Sequence, residues 1–273
     1  MSPARSYSQG HAASVLRSQT WRTAENSSVY LLGHLPPGIN VLDVGCGTGT
    51  ITVDLAKRVA PGRVVGVDSE AKVIRQAREL ANELGVGNVE FVVGDAYDLP
   101  ACPPGAPGNC FDVVHAHQLL LHLGDPVAAL RHMLGAVRPG GLVAARDTDY
   151  AAMAWWPEDP RLERWREIYR GVAHDHGGEP DAGRRLLAWA HAAGATEVTP
   201  SASHWLHATP SEREGWGGMW AERVVASTIA EEAVSSGRAT RAELEDIAQA
   251  WREWTTDPDG WFLIPHGEIV CFA

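Results

Sequence analysis

The chain has 273 residues, 45% hydrophobic and 21% charged, with a formal net charge of -11. This composition is that of a globular protein, and its length suits one α/β domain with insertions. So acidic a chain without a strong basic cluster disfavours nucleic acid as a partner, and the Arg184–Arg185 and Arg161/Arg164/Arg166 groups read as solvated helix faces.

In chain order, residues 1–37 read as an N-terminal helical arm. NVLDV (40–44) is a short apolar strand, GCGTGT a glycine turn, and ITVDLAKRVA an amphipathic helix. A strand over 63–67 ends at Asp68. Residues 69–84 carry Val73, Ile74, Ala77, Leu80, Ala81 and Leu84 at helical spacing, with Gly85 as the cap. VEFVV (89–93) is a strand that exits at Gly94–Asp95, and FDVVHA (111–116) is the next. The spacing predicts a helix over 126–138, ended by Pro139-Gly140-Gly141, and a strand LVAAR (142–146). Strands alternating with helices imply a doubly wound, mostly parallel sheet, which binds ligands beyond the carboxyl ends of its strands. The unusual residues stand at those ends: Gly45 to Gly49, Asp68, Asp95, His117 and Asp147. Further along, helices are expected over 160–174, 181–193, 210–236 and 240–256, and strands over 196–207 and 268–273.

The glycine turn bears on the cofactor class. Gly45, Gly47 and Gly49 make GxGxG, whereas a nicotinamide site prefers GxGxxG and here has Thr50 instead. No GK[ST] follows, so a phosphate loop is excluded. Asp68 stands where a carboxylate accepts from ribose hydroxyls, and Asp95 where one accepts from an adenine amino group. No cation stands at the turn, which suits a cofactor without phosphates.

VLDVGCGTG (41–49), GVDSE (66–70), VVGDAYDLP (92–100), FDVVHAHQLLLHL (111–123) and VRPGG (137–141) together resemble the successive motifs of class I S-adenosylmethionine-dependent methyltransferases. The subgroup most like it is the ubiquinone/menaquinone-biosynthesis type of small-molecule methyltransferase. The resemblance covers residues 38 to 150. It implies a Rossmann-like, seven-stranded, mostly parallel sheet and S-adenosylmethionine as cofactor. Gly45, Cys46 and Gly47 would line the methionine part, with Asp43 near its amino group. Asp68 would take the ribose with Ser69 beside it, and Gly94, Asp95 and Ala96 the adenine. His117 and Gln118 would form the wall between cofactor and acceptor, and Arg22 would hold the methionine carboxylate. The division implied is an arm over 1–37, a cofactor core over 38–150, and 151–273 as the rest of the same domain with helical cap insertions at about 151–177 and 210–258.

HAHQLLLHL (115–123) sets three histidines close together. No metal is expected, because the class rarely uses one and no carboxylate cluster accompanies them. His115 reads as a buried strand residue, while His117 and His122 are candidate bases. Asp147, Asp149 and Tyr150 after the fifth strand, and His174 and His176 in the cap loop, are further candidates. The 11 tryptophans all lie outside 38–150. The pairs Trp216/Trp220 and Trp251/Trp254 read as helix packing, whereas Trp155–Trp156 could stack a flat acceptor.

Cys46, Cys102, Cys110 and Cys271 form no CxxC pair, which argues against zinc and for a reducing cytoplasm. The first residues lack the apolar core of a secretion signal, and no run of about 18 apolar residues predicts a membrane span. The leading expectation is a cytoplasmic enzyme, a possible homo-oligomer, methylating O, N or C of a small, largely apolar or aromatic metabolite in secondary metabolism or natural-product biosynthesis. The alternatives are a cyclase or isomerase that keeps S-adenosylmethionine without transferring methyl, a non-catalytic protein on the same fold, and a nicotinamide-dependent dehydrogenase.

Overall fold

The computed structural model describes residues 21–99 and 110–273. The expected arm over 1–37 therefore falls largely outside the described residues; from its end come α1 (Ala24–Ser27) and α2 (Val29–Leu32). There follow β1 (Val41–Val44), α3 (Thr50–Val59), β2 (Val64–Asp68), α4 (Ala71–Glu83), β3 (Val89–Val93), β4 (Phe111–His117), α5 (Pro126–Ala136) and β5 (Val137–Thr148). The second half contains β6 (Ala154–Trp156), α6 (Pro160–Asp175), α7 (Leu186–Ala193), β7 (Glu197–His207), α8 (Pro210–Ala226), α9 (Thr228–Ser235), α10 (Arg241–Thr256) and β8 (Trp261–Phe272). Residues group into two compact units. Among the described residues, one comprises 21–99, 110–148, 182–203 and 266–273, and the other 149–181 and 204–265.

In the first unit the strands run in the order β3-β2-β1-β4-β5-β8, with β7 also paired to β8. The first five are parallel to their neighbours and β8 is antiparallel to β5. The apolar runs of β1 and β4 are buried on both faces, as parallel strands covered by helices require. One face packs Val41, Val113, Leu142, Ala144 and Val270 against Leu31 and Leu55. The opposite face packs Val44, Val114, Val143 and Ile269 against Leu130 and Leu186. Gly49, at φ 82, caps α3; a Cβ there would lie 2.8 Å from both Ala77 Cβ and Phe91 Cζ, so only glycine lets α3 start this close to α4 and β3. Asp125 caps α5 by accepting from the Ala128 N–H, with Pro126 as its first residue.

Register builds a polar row into this sheet. Asp43 pairs with His115, His117 with Arg146, Arg146 with Glu268, and Thr148 with His266. Side chains paired in register share a face, and alternate residues of a strand return to it. The row therefore crosses β1, β4, β5 and β8 on one face, and Asp147 sits on the other.

The elements differ from expectation in four places. β5 begins at Val137, because Gly140 and Gly141 do not end a helix there but pair through N–H and C=O with Ala273 at the far end of β8. The helix expected over 181–193 starts as a 3-10 turn at Ala182–Arg185. Gly183 there presses on backbone: a Cβ would be 2.7 Å from Asp147 O and Gly267 N. The helix expected over 210–236 breaks at Ser227, whose hydroxyl caps α9 by accepting from Ala230 N. The sheet has eight strands rather than seven, since Trp155–Trp156 form the short β6 on β8.

The second unit is built on aromatic packing. Trp165 meets Trp220 edge-on at 4.6 Å and Trp251 at 5.0 Å. Trp216, Trp220, Trp251 and Trp254 are all buried, as their helical spacing suggested. The Trp155 ring already holds partners, Phe262 stacked at 5.5 Å and the Arg166 guanidinium at 4.9 Å, whereas Trp156 is 56% exposed. No helix among the described residues is long and apolar enough to cross a membrane. Cys110 is disulfide-bonded, contrary to the expectation from cysteine spacing, while Cys46 and Cys271 carry free thiols.

Candidate active site

The carboxyl ends of β1, β2, β3 and β4 bring most of the candidate residues into one crevice rim of the first unit. Gly45 and Gly47 take φ 74 and 54, conformations that L side chains rarely adopt. A Cβ on Gly45 would lie 2.9 Å from Leu119 Cδ1, so the turn passes tightly by the exit of β4. The Gly47 N–H donates to Asp68 Oδ2 at 3.0 Å, and the Glu70 N–H to Oδ1 at 3.0 Å. Asp68 thus ties the glycine turn to the end of β2. The Gly94 N–H donates to Asp68 O at 3.1 Å, joining the exits of β2 and β3. Asp95 is exposed beyond that exit and accepts from Tyr97 N at 3.0 Å; Ser69 is exposed and Ala96 half-buried. Burial raises the Cys46 thiol pKa well above its ordinary value, with Asp43 and Asp68 adding to the effect, so Cys46 offers a neutral wall.

Asp43 lies below this rim and is 3% exposed. It accepts from Thr52 Oγ1 at 2.6 Å and from His115 Nδ1 at 2.8 Å, and His115 Nε2 meets Ser28 Oγ at 3.0 Å. This chain locks α3 and the α1–α2 corner to β1 and β4. His115 is thus the buried strand residue expected, and Asp43 serves first to hold it.

Beyond β4, Gln118 adopts φ 50, the one positive φ of a non-glycine among the described residues. Its N–H donates to Arg146 O at 2.7 Å, which holds the turn open. The Gln118 side chain bridges two distant segments: Arg22 Nη2 donates to Oε1 at 2.7 Å, and Nε2 lies 2.9 Å from His266 Nε2. Arg22 is therefore fixed at the β4 exit. Next to it, Arg146 Nη1 donates to His117 Nε2 at 2.9 Å, and Arg146 Nε donates to Glu268 Oε1 at 3.2 Å. Ser201 and Ser203 also donate to the Glu268 carboxylate. Arg146 and Glu268 are 1% and 3% exposed. Burial lowers the Arg146 pKa to about 10, although Glu268 opposes this. Burial first, and then the charges of Arg22 and Arg146, depress the His117 pKa well below its usual value. His122, in the short turn after β4, is lowered to about 3 by burial and by Arg22, so it is a neutral imidazole at neutral pH.

Asp147 is wholly buried, accepts from the Leu120 N–H at 3.2 Å and also faces the Leu121 N–H. Desolvation raises its pKa to about 8. Folded Asp147 thus keeps its proton up to about pH 8, whereas an unfolded aspartate loses it near 3.8. Between those values the folded state binds more protons, so stability falls as pH rises. We expect Asp147→Asn, which cannot ionise, to gain stability over the native chain between pH 5 and pH 8. The gain should total a few kcal/mol, at most about 1.4 per pH unit. Urea midpoints at the two pH values check this; a constant gap would sink the assignment.

The remaining candidates lie in the second unit. Tyr150 is buried with its ring stacked on Tyr169 at 4.1 Å, and Asp149 caps its own turn by accepting from Ala152 N. His174 sits 3.3 Å from Glu179 and His176 2.5 Å from Glu232. Sequence reasoning missed Arg146, Glu268, His266, Ser28 and Thr52: strand register sets Arg146 and Glu268 beside His117, and packing between distant segments or of helix on sheet sets His266, Ser28 and Thr52 against Gln118, His115 and Asp43.

A doubly wound parallel sheet with a Cβ-free turn after its first strand, a carboxylate at the end of its second and another beyond its third fits a nucleoside cofactor lacking a diphosphate. Comparison with known proteins agrees. The sequence matches the methyltransferase domain family over residues 35–205. It is 33% identical to an uncharacterized methyltransferase of Schizosaccharomyces pombe over 273 residues, 97% of this chain and 95% of that protein. It is 32% identical to the demethylmenaquinone methyltransferase of Listeria monocytogenes over 133 residues, 48% of this chain and 50% of the other. Among solved structures, the YcgJ protein of Bacillus subtilis superposes with a TM-score of 0.57 at 20% identity, over 91% of this chain and 98% of that one. The chain belongs to the methyltransferase domain family, as an S-adenosylmethionine-dependent methyltransferase.

Proposed function

We propose that this methyltransferase transfers the methyl group to O, N or C of a small, largely apolar or aromatic metabolite in secondary metabolism. The observation that carries the reading is the convergence of Gly45, Gly47, Asp68, Asp95 and the Arg22–Gln118 pair at the carboxyl ends of four adjacent strands. S-adenosylmethionine supplies an already activated methyl group, so the chain's own task is to hold, orient and keep out water. In this reading Asp68 and Ser69 hold the ribose, Gly94, Asp95 and Ala96 the adenine, and Gly45, Cys46 and Gly47 pass beside the methionine part. Arg22, fixed by Gln118, faces the methionine carboxylate, while Asp43 steadies the turn from below. His117 and Gln118 form the wall toward the acceptor. Residues 38–150 are the cofactor core, and 151–177 and 210–258 are helical insertions. Their tryptophan content and the likeness to a demethylmenaquinone methyltransferase support an apolar or aromatic acceptor. The same reading places the enzyme in the cytoplasm, with no nucleic-acid partner.

The test is formation of S-adenosylhomocysteine from S-adenosylmethionine with a panel of phenols, quinols and aromatic amines. Turnover is expected with at least one class. Tight cofactor binding with an acceptor consumed but no S-adenosylhomocysteine formed would replace transfer by the cyclase or isomerase reading.

A further inference from the structure

The polarity of the buried hydrogen bonds around β4 determines where His117 keeps its proton. A guanidinium has only donors. Arg146 Nη1, 2.9 Å from His117 Nε2, must therefore donate, and Nε2 must offer its lone pair. A neutral imidazole that accepts at Nε2 carries its hydrogen on Nδ1. The same logic runs through the neighbouring ring. Arg22 donates to Gln118 Oε1, which settles that amide's orientation, so Gln118 Nε2 donates to His266 Nε2. His117 and His266 stack with their centroids 6.4 Å apart, the Nε2 lone pair of one taken by Arg146 and that of the other by the amide that Arg22 orients. The charged and titratable groups facing His117 are Arg22, Arg146, His266 and His115, with Glu268 beyond Arg146. Protonating His117 would set an Nε2–H against a guanidinium N–H, between two arginines.

We propose that Arg146, braced by Glu268, is a positioning residue that holds His117 as the neutral Nδ1–H tautomer. His117 is then removed as a proton acceptor, its one ring proton standing on the buried Nδ1. Glu268 earns its place on this account: it anchors Nε of Arg146, and Ser201 and Ser203 in turn anchor Glu268, so the guanidinium cannot swing away from the ring. A general base, where the acceptor needs one, is then a group other than His117, or the acceptor arrives with its nucleophilic atom already free of its proton. The inference rests on the reading of His117 as the wall between cofactor and acceptor, but its test does not need turnover.

The experiment is imidazole nitrogen–proton correlation spectroscopy of the full-length chain labelled with nitrogen-15, alone and saturated with S-adenosylhomocysteine. His117→Gln assigns the resonance. In the native protein, Nε2 of His117 is expected at the position of an unprotonated ring nitrogen and Nδ1 at that of a protonated one, with neither moving between pH 6 and pH 8. The double variant Arg146→Met/Glu268→Gln removes both charges together, so neither is left buried alone. There the two nitrogens of His117 should shift toward each other as the Nε2–H tautomer is populated, while Arg146→Lys keeps the native pattern. A native His117 carrying its proton on Nε2, or titrating between pH 6 and pH 8, would overturn the proposal whatever the variants do. So would an unshifted pattern in a folded double variant. Failure of S-adenosylhomocysteine to bind would instead count against the functional reading and leave these spectra fully interpretable.

Discussion

Asp68→Ala is expected to weaken binding of S-adenosylhomocysteine by about 100-fold or more, roughly 2.7 kcal/mol. Asp68 acts twice. Its oxygens receive the N–H groups of Gly47 and Glu70, each at 3.0 Å, and so hold the glycine turn against the end of β2. In the proposed reading the carboxylate also accepts from the ribose diol, and a hydrogen bond to a charged group is worth roughly 1.5–3 kcal/mol. Alanine removes both contributions. Asp68→Asn keeps one acceptor oxygen without the charge and should fall in between. Calorimetric titration with S-adenosylhomocysteine decides: a loss under about threefold in Asp68→Ala would mean that the ribose is held elsewhere.

The largest expected loss of stability comes from Glu268→Ala. Glu268 and Arg146 are 3% and 1% exposed and pair at 3.2 Å, with two serines completing the carboxylate's partners. Removing one member of a buried pair leaves the other charge in a poor solvent without compensation, at a cost of about 3–5 kcal/mol. Against a total stability of about 5–15 kcal/mol, this brings the domain close to unfolding. The double variant Arg146→Met/Glu268→Gln should be the milder change, because it removes both charges. Urea denaturation of the two variants side by side tests the ordering. Equal midpoints, or a single variant as stable as the native chain, would show that Arg146 finds another partner.

The glycine turn and the strand-end carboxylates were legible in the sequence because they are local. A turn that needs positive φ at three alternate positions writes itself as Gly45, Gly47 and Gly49, and a carboxylate at the end of an apolar strand is visible as Asp68 or Asp95. Arg22 was also within reach, as the cation of a segment that precedes the first strand. The polar row was not. Arg146 and Glu268 are 122 residues apart, Gln118 and His266 148 apart, and nothing in either neighbourhood announces the other. The candidate bases show the same limit. His115, His117 and His122 look alike as three histidines in nine residues, yet one ring lies between Asp43 and Ser28, one against Arg146, and one in a turn where burial, helped by Arg22, keeps it neutral. Tyr150 and Asp147 are three residues apart but belong to different compact units.

Taken alone, the sequence determined the doubly wound class, the glycine turn, the carboxylates at the strand ends and the cofactor they suit, since each depends on residues next to one another in the chain. Tertiary structure alone decided which histidine faces which charge, which arginine is buried, and that β5 runs through its Pro139-Gly140-Gly141 segment to meet Ala273. The reason is register: strand pairing sets side chains from distant segments opposite one another, and a slip of one residue would turn the polar row to the other face.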